Sequence, residues 1–240
     1  MTTPQYDELR DKLLVDSEAR LSQWRTMARQ APVIARALQT VDTLVQDIKR
    51  DALGARLTAE RYAGDDTMYP QGRQRLIAES NAKAKATSRN HQVALGVALA
   101  ALEQTVRVAL TPQVPKDREA LARDDLRLRL DGAPDPVLAM AEIAKNGGEL
   151  AAVAASSYGE SYLRAKGTTN APQAASLVRD VAFRSAAEAA VKADDTQLRA
   201  LGTAALSMDE LRDVGTAAVS LASDDLQVAS DLGVSMGAGA

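Results

Sequence analysis

The chain has no cysteine, one histidine, one tryptophan and one phenylalanine in 240 residues. Each scarcity removes something. Without cysteine there is no disulfide, no thiolate nucleophile and no cysteine-ligated zinc, which fits a reducing compartment. A lone histidine, His91, excludes a two-histidine metal site within one chain. It lies between Arg89-Asn90 and Gln92 on a predicted helix, with no identifiable partner to orient it for acid–base work, and reads as a surface or satisfied side chain. Aromatic residues at 3% leave little for base stacking or strand packing. The longest unbroken apolar run, Val93–Leu102, is ten residues, too short for a bilayer. Met1–Tyr6 carries no basic-then-apolar leader. The expectation is a soluble chain that stays where it is made, without membrane contact.

What is present is apolar content of 46%, carried mostly by Ala, Leu and Val. Ala and Leu are strong helix formers, so the composition reads as helix packed closely on helix through small side chains. Formal net charge is −3, which excludes a wholesale basic nucleic-acid binder. The charge is uneven: residues 1–110 hold 16 Lys/Arg against 13 Asp/Glu, and residues 111–240 hold 13 against 19. Head-to-tail attraction between copies is therefore conceivable, beside the plainer reading of two mixed surfaces.

The pattern predicts an all-α fold, an elongated antiparallel long-helix bundle followed by a compact domain of shorter helices. Thr3-Pro4 reads as a helix start, with Tyr6, Leu9, Leu13, Leu21, Trp24 and Ala28 at helical spacing, and Ala31-Pro32 as a break or kink. Ile34, Leu38, Val41, Val45, Ile48 and Ala52 alternate four and three apart, a heptad seam that Leu53 and Leu57 extend towards Tyr62. Gly64–Asp66 and Tyr69–Gly72 are turn material. From Gly72 to Leu110 one helix of nearly forty residues is expected, polar in its first half and carrying Leu95, Leu99, Leu102, Val106 and Leu110 in its second.

Thr111-Pro112-Gln113-Val114-Pro115 is the expected boundary. The resulting division is 1–111 long-helix bundle, 117–232 short-helix domain and 233–240 Gly/Ala tail. In the second part Asp117 can cap a helix to Leu130, and Asp135-Pro136 opens a helix ending at Asn146-Gly147. Another helix ends at Lys166-Gly167, and Asn170-Ala171-Pro172 opens one to about Ala193. Ser207-Met208-Asp209-Glu210 reads as a capping box. Leu126–Leu130 alternates with period two but is read as helix, because its neighbours are helical and no partner strand is evident. Leu198–Leu206 repeats as Leu211–Val219 thirteen residues later, each copy holding Gly-Thr-Ala-Ala; two copies are too few for a solenoid and read as adjacent packed helices.

No motif names a reaction. There is no Walker lysine motif and no Gly-x-Gly-x-x-Gly after a strand. The pairs Asp65-Asp66, Asp124-Asp125, Asp194-Asp195 and Asp224-Asp225 lack the alternating ligands of a calcium loop, and two of them precede or open helices, where the dipole favours them. No catalytic, cofactor or metal residue is therefore assigned. Candidate partner-binding residues are the basic segment Arg73, Arg75, Lys83, Lys85 and Arg89, opposed only by Glu79. It reads as a solvated face, a diffuse collar that could also touch an acidic protein partner, with DNA contact possible but not favoured. Val234 and Met236 are the candidate anchors of a tail held by a neighbouring copy.

The absence of cysteine, the poverty of aromatics, the long helices at 4–63 and 72–110 and the Gly/Ala tail resemble head and neck proteins of tailed bacteriophages. The resemblance implies a non-enzymatic helical head–tail adaptor, acting as a homo-oligomer of the kind that forms a ring beneath a portal, with portal or coat proteins as partners. It places the protein in the virion after assembly in the host cytoplasm. It carries over no functional residue. Scaffolding proteins are similar but typically basic at the C-terminal end, which is acidic here. The alternatives are a scaffold, a coiled-coil regulator, or a helical enzyme with an Asp/Glu/Arg site.

Overall fold

The computed structural model describes residues 3–237, with side-chain environments for residue 8 and residues 10–235. The fold is all-α: 86% of it is helix, and no strand occurs among the described residues. The helices are α1 (Thr3–Gln30), α2 (Pro32–Ala63), α3 (Pro70–Leu110), α4 (Glu119–Asp131) and α5 (Pro136–Lys145), then α6 (Gly148–Ala155), α7 (Ser157–Ala165), α8 (Ala171–Val191), α9 (Thr196–Leu206) and α10 (Met208–Gly237).

The chain forms two compact units that are not consecutive in sequence. The first takes residues 1–28, 34–102 and 208–240; the second takes 29–33 and 103–207. This differs from the division expected at residues 111–117, because α10 belongs with the N-terminal helices.

In the first unit α1, α2, α3 and α10 form an up-down bundle whose directions follow from side-chain pairs. Arg25 bonds Asp42 while Gln46 bonds Glu18, so α1 and α2 are antiparallel. Ala59 packs with Ile77 while His91 sits beside Asp51, so α2 and α3 are antiparallel. Asn81 donates to the Leu226 carbonyl, and Gly215 lies against Leu95 and Leu99, which runs α10 back along α3. The α2 seam is buried at Ile34, Leu38, Val41, Val45, Ile48 and Ala52, as the heptad spacing predicts. It then continues through Ala55 and Ala59, not through Leu53 and Leu57. Residues 55 and 59 keep the three-four alternation after 52, whereas Leu57 lies off the stripe and is 54% exposed.

The second unit packs α4 to α9 around Leu126, Leu130, Met140, Leu163 and Val178. Leu126–Leu130 is helical within α4, with Leu126 and Leu130 buried and Leu128 in solvent. Asp117 does not cap α4: the Arg118 N–H turns back to the Pro115 carbonyl, and the helix starts one residue later without a side-chain cap. Asp135 caps α5, accepting from Val137 and Leu138 N–H at 2.8 and 3.1 Å, with Pro136 in the first turn. Asp195 caps α9 through the Leu198 N–H. The helix expected to end at Lys166 is two helices. Ser156 divides them, its hydroxyl donating to the Val153 carbonyl and accepting from the Tyr158 N–H.

The two Gly-Thr-Ala-Ala copies serve separate contacts. A Cβ on Gly202 of α9 would lie 2.6 Å from the Ala187 carbonyl oxygen and 2.7 Å from the Val191 nitrogen, so α9 rests directly on the α8 backbone. Gly215 of α10 meets Leu95 and Leu99 of α3. Each copy thus makes one close approach within its own unit. Ser207 serves as the C-cap of α9, its hydroxyl donating to the Thr203 carbonyl, immediately before α10 begins at Met208.

Candidate functional site

Two concavities stand out among the described residues, one in each unit. The larger, about 730 Å³, lies in the second unit. Its walls are the end of α3 (Arg107, Val108), α6 (Ala151, Ala155) and α8 (Ala182, Phe183, Ala186), with Leu198 of α9 at one edge. Alanine dominates the lining because α6 and α8 are alanine-rich helices that present Cβ atoms and backbone to the opening. Such a wall is smooth and lets another helix or an apolar group come close to the main chain.

The charges around this cleft are already spent. Arg107 donates to Asp180 at 2.8 Å and to Glu103 at 3.1 Å, and its guanidinium lies 4.5 Å from the Phe183 ring centroid. Burial works to lower the Arg107 guanidinium; the bonds to Asp180 and Glu103 outweigh it and hold the group above its ordinary value. Arg179 donates to Glu160 at 2.8 Å. Each cation at the rim therefore has its own carboxylate, and the cleft suits a neutral, apolar occupant.

The smaller concavity, about 300 Å³, lies between α3 and α10 in the first unit. Lys85, Ser88, Arg89 and Gln92 face Ser223, Leu226 and Gln227 across it. It gathers two of the five residues expected in the basic collar. The other three are elsewhere. Arg73 is largely buried, donating to the Ala63 carbonyl at 3.2 Å near the end of α2, with Asp66 at 3.6 Å. Arg75 is exposed and bonds Glu79 at 2.7 Å. Lys83 is exposed on another face of α3. The collar is thus not one surface: Arg73 holds a helix end, and only Lys85 and Arg89 converge.

Residues 233–237 continue α10 as helix and do not form a tail. Gly233 is buried, and a Cβ there would lie 3.1 Å from Ile77 Cγ2. That contact holds the segment to α3 of the same chain. Val234 is 67% exposed. The Met236 side chain and residues 238–240 lie outside the described residues. His91 is half-buried, with Nδ1 3.5 Å from Asp51 Oδ2 and without a hydrogen bond. Among the described residues no group of three or more His, Cys, Asp or Glu side chains is placed to hold a metal ion.

Sequence reasoning missed two features. One is the buried carboxylate of Asp225, which takes Arg10 at 2.9 Å and Arg56 at 3.2 Å. The other is an exposed apolar row on α3, Val93 and Val97 at 72% and 67% exposure, flanking an open Gly96. The ten-residue apolar run held the signal for the second, since a run apolar all round must turn one face away from the core. α3 is also the one helix among the described residues long and apolar enough in composition to cross a membrane. Comparison with protein-family models, with curated proteins and with solved structures finds no match to this chain.

Proposed function

We propose that the protein is a non-enzymatic structural or assembly component that acts as a homo-oligomer, with a second copy of the chain occupying the alanine-lined cleft. The observation that carries this reading is the match between two surfaces of one sequence. The cleft is apolar with its rim cations internally neutralised, and the Val93–Gly96–Val97 row is apolar, uncharged and open. A row on one copy seated in the cleft of the next is a heterologous contact, and such contacts make rings when the rotation closes. A narrower form of the proposal, a virion component of the head–tail connector region, rests on the sequence resemblance alone.

Native mass spectrometry and light scattering at micromolar concentration in low salt test the oligomer. A discrete assembly that Ala186→Arg and Val97→Arg each reduce to monomer supports it. A wild-type monomer under those conditions overturns it. Mass spectrometry of purified particles tests the narrower form, which fails if the chain is absent from them.

A further inference from the structure

We propose that the notch between α3 and α10 is a binding site for a terminal phosphate group, supplied by a small phosphomonoester. Four observations carry this. First, Lys85 and Arg89 stand one helical turn apart on the same wall, and neither takes part in an ion pair among the described residues. Elsewhere in the chain arginines are routinely matched: Arg75, Arg107, Arg123, Arg129 and Arg164 each bond a carboxylate four residues away. Second, no Asp or Glu lines the notch among the described residues.

Third, Ser88 is 2% exposed and yet lines the opening. Its oxygen accepts from Gln92 Nε2 at 3.4 Å, and its own proton has no acceptor among the described residues. A hydroxyl in a helix ordinarily turns back to the carbonyl four residues earlier. Thr26, Thr40, Thr58, Thr111, Thr203 and Thr216 all do so here. Ser88 departs from that pattern, and it borders a concavity that carries two unmatched cations. Fourth, the opposite wall adds the Ser223 hydroxyl, with Leu226 as an apolar member of the lining.

Charge and size select the ligand. Two cations match a phosphomonoester, which carries close to two negative charges at neutral pH, with three acceptor oxygens for the lysine, the guanidinium fork and the two hydroxyls. A single carboxylate would leave one cation unmatched. A volume of about 300 Å³ is at the small end for ligand sites. It holds a phosphate and a few atoms of its ester. A nucleic-acid backbone is read by a row of cations along a surface, and Arg73 and Arg75 are already engaged within the chain.

The test is an NMR titration of the full chain with inorganic phosphate, followed at backbone amides. The expected result is a saturable shift confined to residues 85–92 and 223–227. Apparent affinity should fall at least tenfold in Arg89→Gln and in Ser88→Ala, and stay unchanged in Arg75→Gln and Lys83→Gln. Arg89 is exposed, so Arg89→Gln decides the matter should Ser88→Ala fail to fold. No saturation up to about 10 mM phosphate, a limit weaker than millimolar binding, overturns the site. Equal weakening by Lys83→Gln overturns it too, because the response would then belong to the general field of the helix. A duplex oligonucleotide that binds more tightly than phosphate, shifting residues across 73–89, would overturn the small phosphomonoester as the source.

Discussion

Arg56 and Asp225 lie 169 residues apart in sequence, and their Nη1 and Oδ1 atoms meet at 3.2 Å. Arg10 reaches the other carboxylate oxygen at 2.9 Å, so one side chain on α10 is held from both α1 and α2. The carboxylate is 3% exposed, and the two arginines are mostly covered. Removing the negative charge takes the shared carboxylate away from two mostly covered guanidinium groups, although Arg56 keeps its bond to Glu60. Asp225→Asn should lower stability by about 3 kcal/mol, the usual consequence of breaking a buried pair. Urea denaturation of the variant checks it, and a shift below about 0.5 kcal/mol would place Asp225 among ordinary surface carboxylates.

The α2 seam yields a paired prediction. Val41→Asp puts an unpartnered charge at a fully buried position and should cost several kcal/mol. Leu57→Asp, on the same helix but off the stripe, should stay within about 0.5 kcal/mol. Thermal melts of the two proteins compare them directly; equal losses would mean that the seam does not leave Leu57 outside.

Two glycines should respond in opposite directions. Gly202→Ala forces its new methyl into the α8 backbone, and separating α9 from α8 should cost about 1–3 kcal/mol. Gly96→Ala meets nothing within 4 Å and should stabilise α3 by up to about 1 kcal/mol through helix propensity. If copies meet at the Val93–Val97 row, a larger side chain in Gly96→Leu should weaken the oligomer while leaving the monomer folded. Light scattering together with circular dichroism separates those effects.

Acid and alkali should act on different units. Hydrogen bonds from Lys166 and Tyr162 hold the Asp131 carboxyl below its ordinary value. The folded state therefore gains stability from this group above about pH 4, and loses it as pH falls through the depressed value. Lys49 is the opposite case: burial lowers its ammonium, against the attraction of Glu18 and Asp42. Below the lowered value the buried charge opposes folding. That penalty is relieved as pH rises towards the free-lysine value of about 10.4. Stability curves of Asp131→Asn and Lys49→Met against pH should flatten at the acid and alkaline ends respectively; unchanged slopes would remove either group from the account.

Local periodicity made much of the fold legible. The heptad run from Ile34 to Ala52, the Asp135-Pro136 start and the long helix ending at Leu110 each rest on residues close in sequence. The errors arose where distant segments decide. Ala55 and Ala59 form the end of the seam because Ile77 and Ala229 pack there, while the larger Leu53 and Leu57 drew attention from sequence alone. Asp225 looks like any of four acidic pairs until α1 and α2 close over it. Half of the phosphate notch stood out as basic residues on α3. The other half, Ser223 and Gln227, carries no chemical signal of its own and enters only because α10 runs back along α3.

The discontinuity of the first unit has a consequence for biosynthesis. α1, α2 and the first part of α3 leave the ribosome long before α10, with residues 103–207 translated in between. At roughly 5–20 residues per second that interval lasts about 5–20 s. During it the nascent chain carries Ile77, Leu95 and the Asn81 amide donor of α3 without the helix that covers them, and Arg10 and Arg56 without their shared carboxylate. The second unit has all its own elements and can close first. The first waits as an open three-helix nascent chain, a natural client for a chaperone, until α10 is made and completes it.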